Sequence, residues 1–264
     1  MTRTEQDSII EAAFAMADAA RSAILPHFRL QGLAADNKLE DGFDPVTEGD
    51  RAAERAMRDV LARLRPQDAI LGEEYGASKG TSGLTWVLDP IDGTRGFISG
   101  TPTWGVLIAL SDETGPVFGV IDQPYIRERF VGGFGQAHVD GPSGRMDLRC
   151  REAGALADAI LLSTFPEIGS PTERAAFEAV SQGVRLTRYG MDCYGYALVS
   201  TGQVDLVIEA GLNAYDIQAP IAVIEAAGGI VTDWQGRPAH DGGRVLAAAN
   251  PEVHAEALAI LSQY

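Results

Sequence analysis

Cysteine and histidine are scarce in this sequence, which excludes several kinds of site. The two cysteines, Cys150 and Cys193, belong to no CxxC pair and lie at no zinc-ligand spacing from a histidine. The four histidines are scattered and form no HxxH or HExxH motif, so surface or packing roles are favoured over metal ligation. Free thiols are typical of a reducing compartment, and we therefore expect a cytoplasmic protein.

Long apolar runs are also missing. No stretch of about 18 apolar residues occurs, so the sequence predicts no transmembrane helix and no membrane partner. Residues 1–24 have the pattern of an amphipathic helix with Thr4 as a candidate cap. They lack the short apolar core and cleavage site of a signal peptide, and we expect none.

Basic residues are few, since 21 Lys and Arg stand against 37 Asp and Glu, for a formal net charge of −16. A nucleic-acid-binding surface needs a basic stripe, so a nucleic-acid partner is excluded. A field of this sign also repels an anionic substrate. Bound divalent cations would invert the charge inside a site and remove that difficulty.

Several common catalytic motifs do not occur. No GxSxG elbow, Walker A loop or GxGxxG after a strand is present, which disfavours serine hydrolase, P-loop and dinucleotide-binding functions. A phosphatase that forms an aspartyl-phosphate would have its two aspartates two positions apart, as DxDGT. Pro90 occupies the position two before Asp92, so that mechanism is also disfavoured.

The order of predicted elements indicates stacked layers of helix and sheet. A helix over roughly 50–64 carries one apolar face, formed by Ala53, Met57, Val60, Leu61 and Leu64. Short apolar segments between 104 and 148, separated by Gly, Pro and Asp, are typical of an antiparallel meander. After 158, strands and helices alternate. An antiparallel half, about 1–150, and a mixed half, about 151–264, predict an α/β (α+β layered) fold in one domain, with a division near Arg151 as the alternative.

Acidic residues stand where predicted strands end or helices begin. The stretch WVLDPIDGTRGF at 86–97 places two of them three positions apart, where turn formation alone would need neither. Carboxylates gathered in this way repel one another unless a cation lies among them. Oxygen ligands without suitable His or Cys favour a hard ion, Mg²⁺ or Mn²⁺. The candidates are Asp50, Glu73, Asp89, Asp92 and Asp216.

Four motifs together resemble the inositol monophosphatase family of metal-dependent, lithium-sensitive phosphatases. They are DGFDPVTEGD, LGEEYG, WVLDPIDGTRGF and AYDIQAPIAVIEAAGG, in the family's order, and the resemblance runs from about Asn37 to Asn250. It implies an αβαβα sandwich, hydrolysis of a phosphate monoester by in-line attack of a metal-activated water, and a homodimer.

The resemblance also implies a ligand set for Mg²⁺. Glu73, Asp89 and the backbone carbonyl of Ile91 would hold a first ion. Asp89, Asp92 and Asp216 would hold a second, with Asp89 bridging. Glu73 with waters would support a third, weaker ion. A bridging aspartate suits two metals about 3.5–4 Å apart, which can clamp both the attacking and the leaving oxygen.

Catalytic and phosphate-binding roles follow from the same resemblance. Asp50 and Thr94 would orient and deprotonate the attacking water, and Glu73 would be a third catalytic residue. Gly93 and Thr94 are expected at a helix N-terminus, where backbone N–H groups and the helix dipole suit a phosphate oxygen. Asp92 and Asp216 would also face the substrate.

The segment RYGMDCYGYALVSTGQVDLVIEAGLNAYD resembles the histidinol-phosphate phosphatase branch of the family. Glu209, expected at the end of an apolar strand, and Asp192 could pair with the ammonium group of histidinol phosphate. Tyr194 could pack on the substrate ring or belong to the core. Met191 and Asn213 depart from the branch, which usually has glycine and lysine at these positions.

Other interpretations stay open at this point. The same glutamate position in inositol phosphatases would bind a substrate hydroxyl, so Glu209 alone does not discriminate, and inositol 1-phosphate or another sugar phosphate is the alternative substrate. Arg95 and Trp104 follow the phosphate motif and could shape the entrance. A regulatory, partner-binding subunit is the non-enzymatic alternative, although such a protein would not need the whole acidic set.

Overall fold

The computed structural model describes residues 1–32, 35–37 and 45–264. Part of the acidic segment 41–50 used above, residues 41–44, lies outside this range. The described helices are α1 (Arg3–Ile24), α2 (Glu48–Leu64), α3 (Thr94–Ser99), α4 (Pro171–Ser181), α5 (Asp192–Ser200), α6 (Ala214–Ala226) and α7 (Pro251–Leu261). Across the described ranges, no helix combines the length and apolar character that crossing a membrane requires.

Two sheets lie in the first part of the chain. Strands β1 (Ala35–Asn37) and β2 (Pro45–Thr47) pair with each other. The larger sheet has the order β10-β9-β8-β7-β6-β5-β3-β4 and is antiparallel except for the parallel pair β3–β5. Its strands are β3 (Ala69–Gly72), β4 (Gly76–Ser78), β5 (Thr85–Asp92), β6 (Gly105–Asp112), β7 (Gly115–Gln123), β8 (Glu128–Gly133), β9 (Gln136–Gly141) and β10 (Gly144–Asp147). The meander predicted between 104 and 148 is confirmed.

A five-stranded sheet of order β12-β11-β13-β15-β14 occupies the second part of the chain. Strand β11 pairs in parallel with β12 and β13, whereas β15 runs antiparallel to β13 and β14. The strands are β11 (Ile160–Ser163), β12 (Leu186–Tyr189), β13 (Leu206–Leu212), β14 (Ile230–Thr232) and β15 (Gly243–Ala248).

The alternation of apolar side chains along each strand builds five layers. In β5, Trp86 and Leu88 pack against α1 and α2, while Val87 between them faces the α5/α6 layer. The other side of the α5/α6 layer covers the small sheet through residues such as Val207. Alternate residues of the small sheet, such as Leu206, face α4 and α7. The predicted αβαβα layering is therefore confirmed, and its organisation as one domain stays a prediction.

Two details of the predicted helices are wrong. Thr2, not Thr4, caps α1, because its hydroxyl accepts a hydrogen bond from the Glu5 amide. Leu64 does not share the buried face of α2: it is 44 % exposed where the helix ends. The helical spacing of apolar residues therefore extends to Leu64, one apolar position beyond the part of α2 that other elements cover.

Helix α6 packs against the large sheet at two glycines, where a side chain would collide with its backbone. A Cβ atom at Gly119 would lie 2.6 Å from the carbonyl oxygen of Ala219. A Cβ at Gly132 would collide with the carbonyl oxygen of Ala222. Backbone cannot move aside as a flexible side chain can, so these two positions fix the height of α6 above the sheet.

We expect the substitution Gly132→Ala to destabilise the protein by about 1–3 kcal/mol, the usual cost of overpacking. Urea denaturation gives the free energy of unfolding. Gly141→Ala is the matched control, since its Cβ would meet only the Glu128 side chain at 3.6 Å. Equal stability of the two variants would contradict the close packing of α6.

Candidate active site

A cavity of about 300 Å³ lies where β5, α3, α5, β13 and α6 meet. It is at the small end of the range for ligand-binding pockets. Nine of the ten predicted site residues line it, namely Glu73, Asp89, Ile91, Asp92, Gly93, Thr94, Asp192, Glu209 and Asp216. The tenth, Asp50, is only 1 % exposed and reaches the site through its contact with Thr94.

Three carboxylates form the centre of the site. Asp89, Asp92 and Asp216 each offer an oxygen, and these atoms all lie within 4.8 Å of one another. The pairing of β5 with β6 is irregular between Asp89 and Asp92. The Ile91 amide donates to Asp89 Oδ1 at 3.0 Å, a local turn that Pro90 favours by having no N–H for the sheet.

The environment of this trio opposes its negative charge. Burial, followed by the charges of Glu73, Asp92 and Asp216, raises the pKa of Asp89 well above its usual range. Burial and the charge of Asp216 do the same to the pKa of Asp92. Burial raises the pKa of Asp216 to about 7, against partial relief from hydrogen bonds with Asn213. Carboxylates that are costly to ionise together fit a hard divalent cation, which would neutralise them through oxygen ligands.

Asp216 and Asn213 form a cap at the start of α6. Oδ2 of Asp216 accepts from the Asn213 amide at 2.6 Å and lies 3.4 Å from its side-chain nitrogen. The backbone of residue 213 therefore orients a carboxylate of the trio, and the side chain of Asn213, one of the two departures from the histidinol-type pattern, adds only the longer contact. Met191, the other departure, is the residue before the first turn of α5.

Glu73 lies beside the trio but outside the 4.8 Å group of described residues. Its amide donates to the Leu88 carbonyl at 3.2 Å, which fixes it to the strand that carries Asp89. Its charge contributes to the raised pKa values of Asp50, Asp89 and Asp216. Glu73 is thus electrostatically part of the same cluster.

Asp50 and Thr94 face each other behind the trio. Oδ2 of Asp50 accepts from the Thr47 amide at 2.8 Å and from the Thr47 hydroxyl at 2.6 Å, which completes a capping box on α2. The Thr94 hydroxyl lies 3.5 Å from Asp50 Oδ1 and 3.2 Å from the Ile91 carbonyl oxygen. Burial raises the pKa of Asp50 to about 7, although the bonds from Thr47 oppose this shift. A carboxyl with this pKa can exchange a proton near neutral pH.

Gly93 begins helix α3 as predicted, in the left-handed region at φ 82°. A Cβ there would meet the Asp192 side chain at 2.6 Å, so glycine is required both by conformation and by contact. Asp192, itself at φ 46°, accepts a hydrogen bond from the Thr103 hydroxyl at 2.9 Å. Asp192 therefore packs the start of α5 directly onto the Gly93 turn.

Glu209 is buried against the loop that follows β11. Its Oε1 accepts from the Thr164 amide at 2.6 Å and from the Thr164 hydroxyl at 2.9 Å, and Oε2 lies 3.4 Å from the Ser163 hydroxyl. Burial raises its pKa to about 7 despite these bonds. The prediction that Glu209 ends its strand is wrong: β13 continues to Leu212, and only the regular pairing with β15 stops at Glu209.

The structure separates the two residues predicted to shape the entrance. Arg95 lines the cavity, with its guanidinium 4.7 Å from the ring centre of Phe165. The prediction that Trp104 shapes the entrance is wrong, because Trp104 is fully buried and its ring centre lies 5.0 Å from that of Phe97. Tyr194 lies outside the described cavity lining, and its hydroxyl donates to Glu128 at 2.6 Å.

Sequence reasoning missed several cavity residues because they carry no acidic signal. Thr164 and Phe165 belong to a loop without a motif, yet Thr164 supplies two hydrogen bonds to Glu209. Tyr196 and Tyr215 also line the cavity. The spacing of Tyr196 from Asp192, one helical turn, is the only signal that could have indicated a shared face with the site.

Without divalent cations, the substitution Asp216→Asn should alter stability in a pH-dependent way. The folded pKa is about 7 against an ordinary 3.8, so this carboxyl's contribution to stability is complete below about pH 4 and is lost as the pH rises through about 7. Between pH 5 and pH 8, the free energy of unfolding of the variant should therefore rise relative to that of the wild type. The limit of this rise is about 1.4 kcal/mol for each unit by which folding raises the pKa. Urea denaturation in EDTA measures this difference.

Burial lowers the pKa values of His138 and His254. Near pH 6 these two histidines therefore make stability rise with pH, which is the opposite of the effect of Asp216. Both proteins contain them, so their effect cancels in the difference. A difference that does not change between pH 5 and pH 8 would show that the carboxyl titrates normally. At pH 8, Mg²⁺ should stabilise the wild type more than the variant.

Comparison with known proteins identifies the family to which the chain is similar. The sequence profile described as the inositol monophosphatase family matches residues 5–264. The chain is 38 % identical to the chloroplastic bifunctional phosphatase IMPL2 of Arabidopsis thaliana, over 98 % of this chain and 76 % of that protein. It is 35 % identical to a histidinol-phosphatase of Streptomyces coelicolor, over 95 % of this chain and 96 % of that protein.

Among solved structures, an inositol monophosphatase from Zymomonas mobilis superposes with a TM-score of 0.86 at 38 % identity, covering 99 % of this chain and 100 % of that one. The layered fold is thus the fold of these phosphatases. On the profile match and these identities, the chain belongs to the inositol monophosphatase family.

Proposed function

We propose that the protein is a Mg²⁺-dependent phosphomonoester hydrolase whose substrate is L-histidinol phosphate. Hydrolysis of this ester is a step of histidine synthesis. The observation that carries the reaction class is the buried trio Asp89, Asp92 and Asp216, whose oxygens lie within 4.8 Å of one another. Membership of a phosphatase family supports the same reaction. We further propose a cytoplasmic homodimer.

The donor set suggests how the chain would hold its cations. Glu73, Asp89 and the Ile91 carbonyl oxygen would hold one ion, and Asp89, Asp92 and Asp216 would hold a second. Glu73 could also support a third, weaker ion. When bound, Mg²⁺ would neutralise the phosphate oxygens and make water more acidic. Mn²⁺ would suit the same oxygen ligands.

The chain's own groups would prepare the attacking water. Asp50 Oδ1 and the Thr94 hydroxyl lie 3.5 Å apart, and a water between the cavity and this pair could donate to one and accept from the other. A carboxyl with a pKa of about 7 accepts a proton readily near neutral pH. Asp50 is therefore our candidate general base, acting with Thr94.

The phosphate would lie at the Gly93 turn. Gly93 and Thr94 line the cavity at the start of α3, and glycine allows a phosphate oxygen to approach the backbone closely. Asp92 and Asp216 would face the same group across the cations. Asp192 packs on this turn, so it both supports the phosphate position and adds negative charge beside it.

Glu209 is the observation that favours a cationic substrate. It lines the cavity, is buried, and keeps two oxygens anchored by Thr164 and Ser163. Together with Asp192 it gives the wall beyond the phosphate turn a negative charge that an ammonium group would neutralise. A relative named histidinol-phosphatase at 35 % identity supports the same substrate.

Inositol 1-phosphate or another sugar phosphate is the second candidate. The Zymomonas mobilis structure, whose sequence is 38 % identical to this chain, is described as an inositol monophosphatase. Glu209 could accept a hydrogen bond from a sugar hydroxyl in place of pairing with an ammonium.

We expect L-histidinol phosphate to be hydrolysed with a kcat/KM at least 100-fold above that of inositol 1-phosphate, equivalent to about 2.7 kcal/mol of transition-state binding. Phosphate release at saturating Mg²⁺ measures both. The variant Asp92→Asn, which removes one charge of the trio, should lose turnover of both esters and controls for contaminating phosphatase.

A preference for inositol 1-phosphate would overturn the proposed substrate but not the proposed type of reaction. Full activity of Asp92→Asn would overturn the metal assignment. Hydrolysis of neither substrate, nor of a wider panel of phosphate esters, would favour the non-enzymatic alternative, a regulatory subunit that binds a protein partner.

The substitution Glu209→Gln should weaken hydrolysis of L-histidinol phosphate about tenfold more than that of glycerol 2-phosphate, because the alcohol part of glycerol 2-phosphate is uncharged whereas that of L-histidinol phosphate carries an ammonium. The wild-type KM for L-histidinol phosphate should also fall as the pH rises from 6 to 8, since Glu209 ionises near pH 7. Steady-state kinetics across this range provide the measurement. Equal losses for both esters, with no change in the pH profile, would remove the ammonium-pairing role.

A further inference from the structure

One buried carboxylate has no part in the chemistry described so far. Glu54 lies on α2, one helical turn after Asp50, and is fully buried. Its Oε1 accepts from the Arg58 guanidinium at 2.7 Å, and Arg58 also donates to the Gly76 carbonyl. Burying a carboxylate costs free energy unless its oxygens are hydrogen-bonded. The other hydrogen bonds of Glu54 therefore show which part of the structure it stabilises.

Those contacts are with the turn that carries Glu73. Oε2 of Glu54 accepts from the Glu74 amide at 2.7 Å, and Oε1 accepts from the Tyr75 amide at 3.2 Å. The preceding amide, that of Glu73, donates to the Leu88 carbonyl of β5. Three successive amides are therefore fixed, one to the strand of Asp89 and two to the helix of Asp50.

The local sequence is adapted to this contact. A Cβ atom at Gly72 would collide with the Glu54 carboxylate, so only glycine lets the acid reach the turn. Hydrogen bonds from amides to a charged carboxylate are stronger than those to a neutral acceptor. The Arg58 guanidinium supports that charge inside the protein. The arrangement is a rigid link between α2 and the end of β3.

We propose that Glu54 is a positioning residue that holds Glu73 at its place relative to Asp50 and the trio, and thereby sets the affinity of the site for divalent cations. Glu54 does not line the described cavity, so it acts through Glu73 and not by touching a ligand. This inference rests on the proposed function, because it assumes that Glu73 is a metal ligand. Groups that orient a metal ligand commonly change metal affinity by about 10–100-fold when mutated.

A purely structural role is the competing explanation, since Glu54 also ties α2 to the turn between β3 and β4. Asp68 provides a matched control. It is likewise a buried carboxylate with an arginine partner, accepting from Arg65 at 2.7 Å and from Trp86 Nε1 at 2.9 Å. It precedes β3, whereas Glu73 follows it. Loss of Asp68 should therefore cost stability without moving Glu73.

The test compares Glu54→Gln, Asp68→Asn and the wild type as full-length, metal-free proteins. Free Mn²⁺ is titrated by electron paramagnetic resonance, which reports binding without any assay of activity. We expect Glu54→Gln to bind Mn²⁺ about tenfold more weakly than the wild type. Asp68→Asn should bind it normally, while urea denaturation shows both variants destabilised. If Glu54→Gln does not fold, Arg58→Gln carries the test and should weaken Mn²⁺ binding in the same direction.

Unchanged Mn²⁺ affinity in a destabilised Glu54→Gln variant would overturn the inference and leave the proposed function intact. An equal loss of affinity in Asp68→Asn would also overturn it, since general destabilisation would then be the cause. A wild type that binds no Mn²⁺ would overturn both the inference and the metal centre of the proposed function.

Discussion

The mutual repulsion of buried carboxylates is the constraint on which the rest of this structure depends. Asp89, Asp92 and Asp216 come from two distant parts of the chain and meet within 4.8 Å. Burial and neighbouring charge raise the pKa values of all three carboxyls. The fold must therefore hold these side chains together against their mutual repulsion. The packing of α6 against the large sheet supplies that resistance, because α6 carries Asp216 and glycines let it lie close to the strands.

These three carboxylates and Asp50 are held by a recurring arrangement in which one oxygen accepts a hydrogen bond from a backbone N–H. Asp50 accepts from Thr47, Asp89 from Ile91, Asp92 from Cys193 and Asp216 from Asn213, all at 2.6–3.0 Å. Each bond fixes the side chain and leaves the second oxygen for a neighbour or a ligand. Two of these bonds also cap helices α2 and α6. Helix termination and site geometry are therefore the same interactions, which explains why acids stand at element boundaries.

Because those boundaries are visible in the sequence, the acidic candidates and a stack of helix and sheet layers were predictable from the residues themselves. The ligand set and the αβαβα order came from the resemblance to the family. The contacts of Glu209 were not predictable, since they depend on Thr164, which reaches it only when β11 and β13 pair. Trp104 shows the opposite failure: its position after the phosphate motif indicated an entrance, but its apolar surface was buried beside Phe97. Contacts across sheets and between rings are decided by tertiary packing, which local patterns do not record.

The acidity of the cavity acts differently on the two ends of a substrate. Arg95 is the only Lys or Arg among the described residues that line it, so the chain alone cannot neutralise a phosphate there. Under the proposed function, cations held by the trio must supply that charge. Toward an ammonium group, Glu209 and Asp192 are attractive without any metal ion once they are ionised, which burial delays for Glu209 to about pH 7. Under the proposed function, a substrate with phosphate at one end and ammonium at the other would use both parts of the site, whereas a sugar phosphate would gain no Coulombic attraction from its uncharged end. This difference is the physical reason for preferring L-histidinol phosphate.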